Sequence, residues 1–546
     1  QPQELKAQNK PVEPDKEIAA SFGQLQALGA NGRLMPVNTL SDEVLRTLYG
    51  KSKYQNMNSD QVLLSMIADP QNWMGEKILK VKFEDLRKRL QIKESYASFN
   101  DIVDPGTGQY LLSKDIEEAY NKKPVYRTKY DREVIKIDER LNVFYLILTN
   151  RYIKMYPVDG ESGSVWLAAE HNLQNLSSMD SLFITNAEAT LGEALISKNN
   201  VKAQKVINDI DSFQHKNASV DIIPDNKVKA EIFSNRADVF NRLWRFYSTF
   251  GFFMIIVFII NVARPFRRYA WMSKVGFIHL LVAFIIHTAA LGLRWYISGH
   301  APWSNGYESL VFMAWSAMLA GLLFYKREPF ALWSTSVLTA MVLMVAHLSW
   351  MNPQISNLVP VLKSVWLTIH VSVITSSYGF LGLSAIIALS AIILQIAAGT
   401  TFKENIENAI KRLTAISEII MIPGLYLLTI GTFLGAIWAN VSWGRYWGWD
   451  PKETWALITI LIYAFVIHLK YIPGLKGRYF FNVMTVIAFF SILMTYFGVN
   501  YYLSGLHSYA GGDPVPIPVW LYFAVGSLFL IFIAGNFMYK SSRPKE

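Results

Sequence analysis

The chain has 546 residues, too many for one hydrophobic core, so at least two domains are expected. Hydrophobic residues make up 52% and charged residues 17%, a balance that indicates a membrane protein. The absence of cysteine excludes disulfides, thiolate metal sites and thiol redox chemistry by the chain itself. The net charge of +10 comes largely from loops expected on the cytoplasmic side, so it does not indicate nucleic-acid binding.

The front of the chain, residues 1–240, is polar and predicts a mainly helical extracytoplasmic domain with little strand signal. Its first residues, about 20 of them, are rich in Lys, Glu and Pro and are expected to form a flexible tail. No stretch resembles a catalytic motif, and we expect a docking or chaperone surface. The predicted helical segments are 41–49, 59–67, 85–90, 131–155 and 177–213, the last being broken near residues 199–200.

Residues 241–546 predict a polytopic α-helical membrane bundle. One set of loops, with the C-terminal tail, carries fifteen Lys and Arg residues, against four on the opposite side. The positive-inside rule therefore predicts a multi-pass membrane protein with a cytoplasmic C-terminus and a front domain on the outer side, which is the periplasm if the cell has two membranes. The nine predicted spans are 243–263, 274–293, 306–325, 329–349, 371–397, 418–440, 453–471, 479–500 and 517–539.

Residues 441–455, V-S-W-G-R-Y-W-G-W-D-P-K-E-T-W, are expected on the periplasmic side. Asp450 to Glu453 predicts a helix start, with Asp450 as the cap, proline at the first helical position and glutamate closing a capping box. The preceding tryptophans therefore lie in an irregular segment at the mouth of a membrane helix. They form either an interfacial aromatic belt or a platform for a large flat ligand.

Two histidines flank this segment in the sequence and are expected at the same outer surface. His370 lies where the fifth span begins, and His507 lies just after the eighth span. Two imidazoles with a tryptophan floor between them suit an iron porphyrin, because neutral imidazole is a good axial ligand for iron. The alternative is a pair of loop histidines that never meet.

Other histidines indicate a deeper site. His468 follows Pro451 by seventeen residues, which places it about 25 Å further along a helix and near the inner face. If His468 binds haem, the haem belongs to a second, inner site. The alternative is an interfacial histidine beside Lys470. His279 and His287, on the second span, are expected roughly on one face, and either is a candidate for the second inner ligand or for a packed structural histidine. His300 and His347 are expected to be surface or interfacial residues.

The motif W-G-R-Y-W-G-W-D-P-K-E-T-W-A-L resembles the tryptophan-rich WWD signature of haem-handling membrane proteins. The sequences around His370, His468 and His507, and S-N-G-Y-E-S-L-V-F-M-A-W from Ser304, resemble the CcsA (ResC) family of cytochrome c biogenesis proteins. This resemblance covers residues 272–512. It is weaker for residues 1–240, which resemble the extracytoplasmic region of chains in which CcsA is fused to CcsB (ResB).

The resemblance implies a role for each matching residue. His370 and His507 would be the axial ligands of an outer haem. His468 would be one ligand of an inner haem, whose partner in the family comes from a CcsB span. That span is missing here, so it would belong to a separate subunit or to a missing N-terminal portion, unless His279 or His287 replaces it. The haem-facing segment would comprise Trp443, Trp447, Trp449 and Asp450.

The resemblance also implies a function, that of a system II holocytochrome c synthase (haem lyase). Such a protein moves haem b to the outer side of the membrane and attaches it to the C-x-x-C-H cysteines of apocytochrome c. Expected partners are apocytochrome c, a CcsB/ResB-type subunit, thiol-reducing thioredoxin-like proteins and membrane lipid, with no nucleic acid. The alternatives are a haem exporter or chaperone that forms no thioether bond, and a scaffold that binds no haem.

Overall fold

The computed structural model describes residues 10–160, 163–170, 177–218, 222–348, 351–358, 360–399, 404–503, 505, 517 and 519–541. The chain divides into two compact units, here called the front unit, Gln1–Arg236, and the membrane unit, Ala237–Glu546.

The front unit is mainly helical, as predicted, and its helices begin at polar caps. Asn58 and Thr128 each form a capping box, while Asp15 and Ser177 each accept a backbone N–H through their side chains. The helices are α1 (Lys16–Phe22), α2 (Val37–Leu48), α3 (Ser59–Ala68), α4 (Pro70–Trp73), α5 (Glu84–Arg89), α6 (Ser113–Asn121), α7 (Lys129–Leu148), α8 (Ser178–Ile196), α9 (Asn200–Asn217) and α10 (Asp225–Ala237), with a 3-10 turn at Pro124–Tyr126.

Four two-stranded antiparallel sheets complete the described part of the front unit, and they went unpredicted because most of their strands are too short to show an alternating pattern. The strands pair in chain order as β1 (Gln26–Leu28) with β2 (Leu34–Pro36), β3 (Lys53–Tyr54) with β4 (Met57–Asn58), β5 (Leu79–Lys80) with β6 (Tyr96–Ala97) and β7 (Tyr156–Gly160) with β8 (Gly163–Leu167).

Two expectations for the front unit are corrected by the structure. The end of the supposed flexible tail forms α1, because Ile18 and Phe22 are buried in the core of the unit and anchor it. The helix predicted over 131–155 ends at Leu148, and the chain turns through Asn150, whose φ is +53°, toward β7. A buried two-pronged ion pair between Arg33 and Glu231 fastens α10 to this unit.

The membrane unit confirms the nine predicted spans within the described residues. The helices are α11 (Val239–Ala263), α12 (Tyr269–Ser298), α13 (Gly306–Phe324), α14 (Pro329–Ala346), α15 (Val365–Ala398), α16 (Glu404–Trp443), α17 (Pro451–His468), α18 (Arg478–Leu493), α19 (Val499–Tyr502) and α20 (Val519–Ser541), with 3-10 turns at Pro360–Leu362 and Leu469–Tyr471 and a π-helical turn at Met494–Gly498.

The two longest helices, α15 and α16, pack against each other in opposite directions. Ser384 bonds to Ser417 near one end of the pair, and His370 contacts Gly435 near the other. Charged side chains cluster at the Ser417 end, where Arg412 pairs with Glu328 at 3.1 Å and Lys470 pairs with Glu418 at 2.6 Å. The His370 end leads directly into the tryptophan segment.

Candidate functional site

His370 is held against α16 by a hydrogen bond that fixes its ring. Its Nδ1 lies 2.7 Å from the carbonyl oxygen of Gly431, and because a carbonyl only accepts, Nδ1–H is the donor. In the neutral ring the lone pair then resides on Nε2. Histidines that bind metals in proteins usually donate their other ring N–H in this way. The half-buried imidazole is therefore in the tautomer and orientation of a metal ligand.

Small residues on α16 make this approach possible. A Cβ on Gly431 would lie 3.0 Å from Cβ of Ile374, and a Cβ on Gly435 would lie 2.6 Å from Cε1 of His370. Any side chain at Gly435 would therefore displace the imidazole. The two glycines form a G-x-x-x-G pattern, which lets membrane helices approach closely. The sequence analysis did not use this pattern, although it marks where α16 receives His370.

The tryptophan segment starts where α16 ends. Gly444 has a φ of +72° and terminates the helix, a role that favours glycine because it has no Cβ. Trp443 packs edge-on against the buried Trp438 at 4.7 Å. Trp447 and Trp449 form a second perpendicular pair at 5.8 Å, and Trp449 is 71% exposed. Trp449 also has a φ of +55°, an uncommon conformation for a bulky residue.

Asp450 joins the tryptophan segment to α17 through the capping box predicted from the sequence. Its carboxylate accepts the N–H of Lys452 at 3.0 Å, and the Glu453 carboxylate accepts the N–H of Gly448 at 2.8 Å. The box therefore fixes the backbone on both sides of Trp449. Asp450 itself is buried.

The chain that leads toward His507 reaches this same cap. His507 lies outside the described residues, but Gly505 is described and packs on the cap. A Cβ on Gly505 would lie 2.4 Å from Oδ1 of Asp450 and 2.9 Å from Cδ of Pro451. On the other side of Asp450, Nζ of Lys452 donates to Oδ1 of Asn500 at 3.0 Å, which ties α17 to α19.

The loop before α13 supports the His370 end of α15. Nε1 of Trp303 donates to the carbonyl of Thr368, two residues before His370, at 3.1 Å. The loop is held by a buried ion pair in which Nε of Arg294 lies 2.8 Å from Oε1 of Glu308. Glu308 belongs to the S-N-G-Y-E-S-L motif, so this motif supports the site without belonging to the tryptophan segment.

His468 has a different environment. It is exposed at the C-terminal end of α17, and its Nδ1 lies 2.7 Å from the carbonyl oxygen of Ala464 in the same helix. The ring of Tyr471 lies 6.1 Å away. His468 lies at the opposite end of α17 from Asp450, as its spacing from Pro451 predicts.

His279 and His287 do not share one face, contrary to expectation. Two side chains that are eight residues apart in an α-helix point in directions about 80° apart around the helix axis. His279 is exposed and stacks on Phe250 at 5.6 Å, with its Nδ1 2.8 Å from the Val275 carbonyl oxygen. His287 is 0% exposed and packs against Phe240 on α11. A porphyrin could not reach His287 without displacing α11, so the environment of His287 fits a packed structural histidine.

Comparisons with known proteins identify relatives of this chain. A family model described as cytochrome C assembly protein matches residues 303–507. Protein NrfI of Wolinella succinogenes is 40% identical over 505 residues, which are 92% of this chain and 55% of NrfI, so the chain spans about half the length of that relative. A solved structure titled Cytochrome c Heme Lyase CcmF aligns over 56% of this chain and 51% of that one, with 16% identity and a TM-score of 0.36, too distant to carry an argument.

The cytochrome c biogenesis protein CcsA of Synechococcus sp. (strain CC9902) is 33% identical over 299 residues, which are 49% of this chain and 98% of that protein. CcsA of Cyanophora paradoxa is 34% identical over 310 residues, or 48% of this chain and 96% of that one. Because nearly the whole of these proteins is matched, the chain belongs to the CcsA family of cytochrome c biogenesis proteins.

Proposed function

We propose that this chain binds haem b at the end of the membrane unit that carries His370 and attaches it to the two cysteines of a C-x-x-C-H segment in apocytochrome c. Haem is the substrate in this scheme. His370 and His507 are its axial ligands, and Trp443, Trp447 and Trp449 provide apolar cover for the macrocycle.

The observation that carries the proposal is the hydrogen bond from Nδ1 of His370 to the Gly431 carbonyl. It sets the tautomer, orients the ring and raises the basicity of Nε2, as a haem ligand requires. The Nδ1 side of the imidazole packs against the backbone of α16, which limits rotation of the ring. The contact of Gly505 with Asp450 supports the second ligand, because His507 follows Gly505 by two residues.

The tryptophans suit a flat apolar ligand better than they suit a lipid belt alone. Trp443 and Trp447 are half-buried, while Trp449 is held in a positive-φ conformation between two capping bonds. A belt residue needs no such fixed backbone. Indoles present large rigid surfaces at low entropy cost, which favours binding of a planar ring.

The chemistry needs little from the chain beyond positioning. Each cysteine S–H adds across a haem vinyl group. A C–S bond forms at one vinyl carbon and a C–H bond forms at the other, so no net oxidation occurs. Both thiols come from apocytochrome c, because the chain has no cysteine. Holding vinyl groups and thiols together in a water-poor pocket converts a bimolecular step into an effectively unimolecular one. The histidine of C-x-x-C-H then replaces one protein ligand, which releases the product.

Charge distribution supports the orientation in which the His370 end is periplasmic. Arg412, Lys470 and Arg478 gather at the opposite end, where they pair with Glu328, Glu418 and Glu407. The positive-inside rule makes that end cytoplasmic. His468 at this end would serve a haem-entry site with a ligand from a CcsB/ResB-type polypeptide.

Reconstitution tests the proposed function. The purified full chain is incubated with haem, a reductant and a C-x-x-C-H peptide, and the pyridine haemochrome spectrum of the peptide is recorded. A covalent thioether product shifts the α band and survives acid–acetone extraction. Bound haem without covalent product would indicate an exporter or chaperone, whereas no Soret band at all would contradict haem handling.

Substituting His370 tests the ligand assignment. We expect His370→Gly to lose the outer-site Soret spectrum and added imidazole to restore part of it, because free imidazole can occupy the vacated position. His347→Gly is the matched control, since His347 caps α14 and bonds to the Leu343 carbonyl. An unchanged spectrum and activity in a His370→Gly/His507→Gly double variant would refute the outer site.

A further inference from the structure

The front unit contains a cavity that has no role in the haem chemistry. Its volume is about 500 Å³, within the range of small-ligand sites, and it opens to the surface between α3 and α8. Apolar side chains form its walls, among them Ile67, Ala189 and Ile196. The backbones of α8 and α3 come close here, since a Cβ on Gly192 would lie in ordinary contact at 3.6 Å from Cα of Ala68.

A buried carboxyl group lines this cavity without a partner. Glu188 is 6% exposed, and its Oε2 has no hydrogen-bond partner in the part of the chain that the structure describes. Buried polar atoms are rarely left unsatisfied, so a buried carboxyl group without a partner at the wall of a cavity is a candidate to bind a hydrogen-bond donor that enters the cavity.

The other charges around Glu188 are mostly negative. Glu170 and Glu193 also line the cavity, and Tyr156 lies behind Glu188 with its buried hydroxyl likewise unpartnered. Lys202 pairs with Glu193 at 2.9 Å, and both side chains are exposed. Burial, and then the charge of Glu170, raises the pKa of Glu188 to about 8. The empty cavity therefore holds a neutral carboxyl group at its base near pH 7.

From this geometry we infer that the cavity binds an alkylammonium or guanidinium group, with the aliphatic stem along the apolar walls and the cation against Glu188. Three carboxyl groups line the cavity and no basic residue lines it among the described residues, which favours a cation. A volume of about 500 Å³ accommodates a cation carried on a chain of several methylenes, such as a lysine or arginine side chain of a polypeptide or a free polyamine.

Binding of a cation must be coupled to loss of a proton. A bound ammonium group favours the ionised carboxylate, so Glu188 releases its proton as the ligand enters. Affinity should then rise by up to about tenfold per pH unit below the pKa of Glu188 and level off above it. A site made of carboxylates that are already ionised would show no such slope between pH 6 and 8.

The test is fluorescence anisotropy with the full chain in detergent at 0.15 M salt, with rhodamine-labelled Gly-Ser-Gly-X-Gly-Ser peptides in which X is lysine, arginine, norleucine or glutamate. We expect the lysine or arginine peptide to bind at least tenfold more tightly at pH 8 than the norleucine peptide, and to tighten at least tenfold from pH 6 to pH 8. Competition by spermidine at lower concentration than by the unlabelled peptide would identify a free polyamine as the source of the cation.

Two variants separate the proposal from general surface charge. Glu188→Gln keeps the shape of the neutral carboxyl group and should abolish both the preference and the pH slope. Glu193→Gln removes an exposed rim charge and should keep the slope. Equal binding of the lysine and norleucine peptides, or a pH slope that survives in Glu188→Gln, would overturn the proposal. Haem binding is not measured, so failure here leaves the proposed function untouched.

Thermal unfolding gives a second measurement that needs no ligand. The folded unit holds a proton on Glu188 between about pH 4.5 and 8 that the unfolded chain releases, so its stability falls as pH rises through this window. Glu188→Gln cannot ionise. We expect the variant and the unchanged chain to unfold at the same temperature at pH 5, and the variant to unfold roughly 5–10 °C higher at pH 8. Equal unfolding temperatures at pH 8 would show that Glu188 is not held neutral.

Discussion

The two ends of the membrane unit hold their histidines in different ways. At one end, His370 on α15 donates to the Gly431 carbonyl on α16, so a tertiary contact sets its ring. At the other end, His468 bonds to the Ala464 carbonyl four residues earlier in its own helix, and its side chain is exposed. A site whose geometry depends on contacts between helices is pre-organised within the chain. A histidine that is fixed only by a contact within its own helix can also take part in a site shared with a neighbouring polypeptide.

This difference predicts which end of the membrane unit needs a second polypeptide. The His370 end draws on α15, α16, the start of α17 and the chain around Gly505, all within one polypeptide. The His468 end offers one imidazole on an open surface. Two histidines on α12 are candidates for the second ligand at this end. His287 is enclosed by aromatic rings, which leaves His279 as the candidate within the chain. We therefore expect the attachment site to be nearly self-sufficient and the entry site to need a partner.

The largest effect should come from removing the space that His370 occupies. Gly435→Ala places a Cβ 2.6 Å from the present position of Cε1, so the imidazole must move. A displacement of about 1 Å at a reacting centre costs on the order of 100-fold in rate. We expect outer-site haem binding and thioether formation to fall by that order, as measured by the Soret band and the pyridine haemochrome assay.

The control for this substitution is Gly292→Ala. Gly292 also lies within a membrane helix, α12, but a Cβ there meets no atom within 4 Å. Its spectrum and activity should match those of the unchanged chain. If Gly435→Ala retained full haem binding while keeping its fold, the ring of His370 would not be the ligand that the close packing positions.

A conditional effect is expected at the other end. Haem content of the chain alone should be unchanged by His468→Gly. Haem content of a complex with the CcsB-type polypeptide should lose its inner-site component by at least about tenfold, because an axial ligand is removed. Resonance Raman or visible spectra of both preparations measure this.

His279→Gly decides between the two sources of the second ligand. If His279 completes the inner site, its removal should reproduce the loss caused by His468→Gly, even in the chain alone. If a partner polypeptide supplies the ligand, His279→Gly should have no spectral effect. Loss of outer-site haem in either variant would show that the two ends of the membrane unit do not bind haem independently.

The sequence predicted the spans well because hydropathy over about 20 residues reports burial in lipid directly. It placed the sixth span at 418–440, whereas α16 runs over Glu404–Trp443. The polar first turns of α16 were missed because they are stabilised by contacts, including the ion pair from Arg412 to Glu328, that a local pattern cannot show. The cap at Asp450 was predicted correctly because a capping box is a purely local signal.

The candidate site was less accessible to sequence reasoning. Histidine position along a span gives depth, but it does not give the neighbour that the ring faces. His279 and His287 illustrate this, since one is exposed and the other is enclosed by α11. The contact of His370 with α16 depends on Gly431 and Gly435. Their spacing is visible in the sequence, but the sequence does not show that α15 is the helix that packs against them.

The smallest effect should come from the cap that joins the tryptophan segment to α17. Removing an N-cap carboxylate costs about 1 kcal/mol, so Asp450→Ala should lower the unfolding temperature by about 2–4 °C. Asp450→Asn can still accept the N–H of Lys452 and should restore the stability. If Asp450 acts only as a cap, thioether formation should follow stability and recover in the asparagine variant. An asparagine variant that is stable but inactive would show instead that the charge of this buried carboxylate acts on the substrate, which would make the attachment end depend on electrostatics as well as on packing.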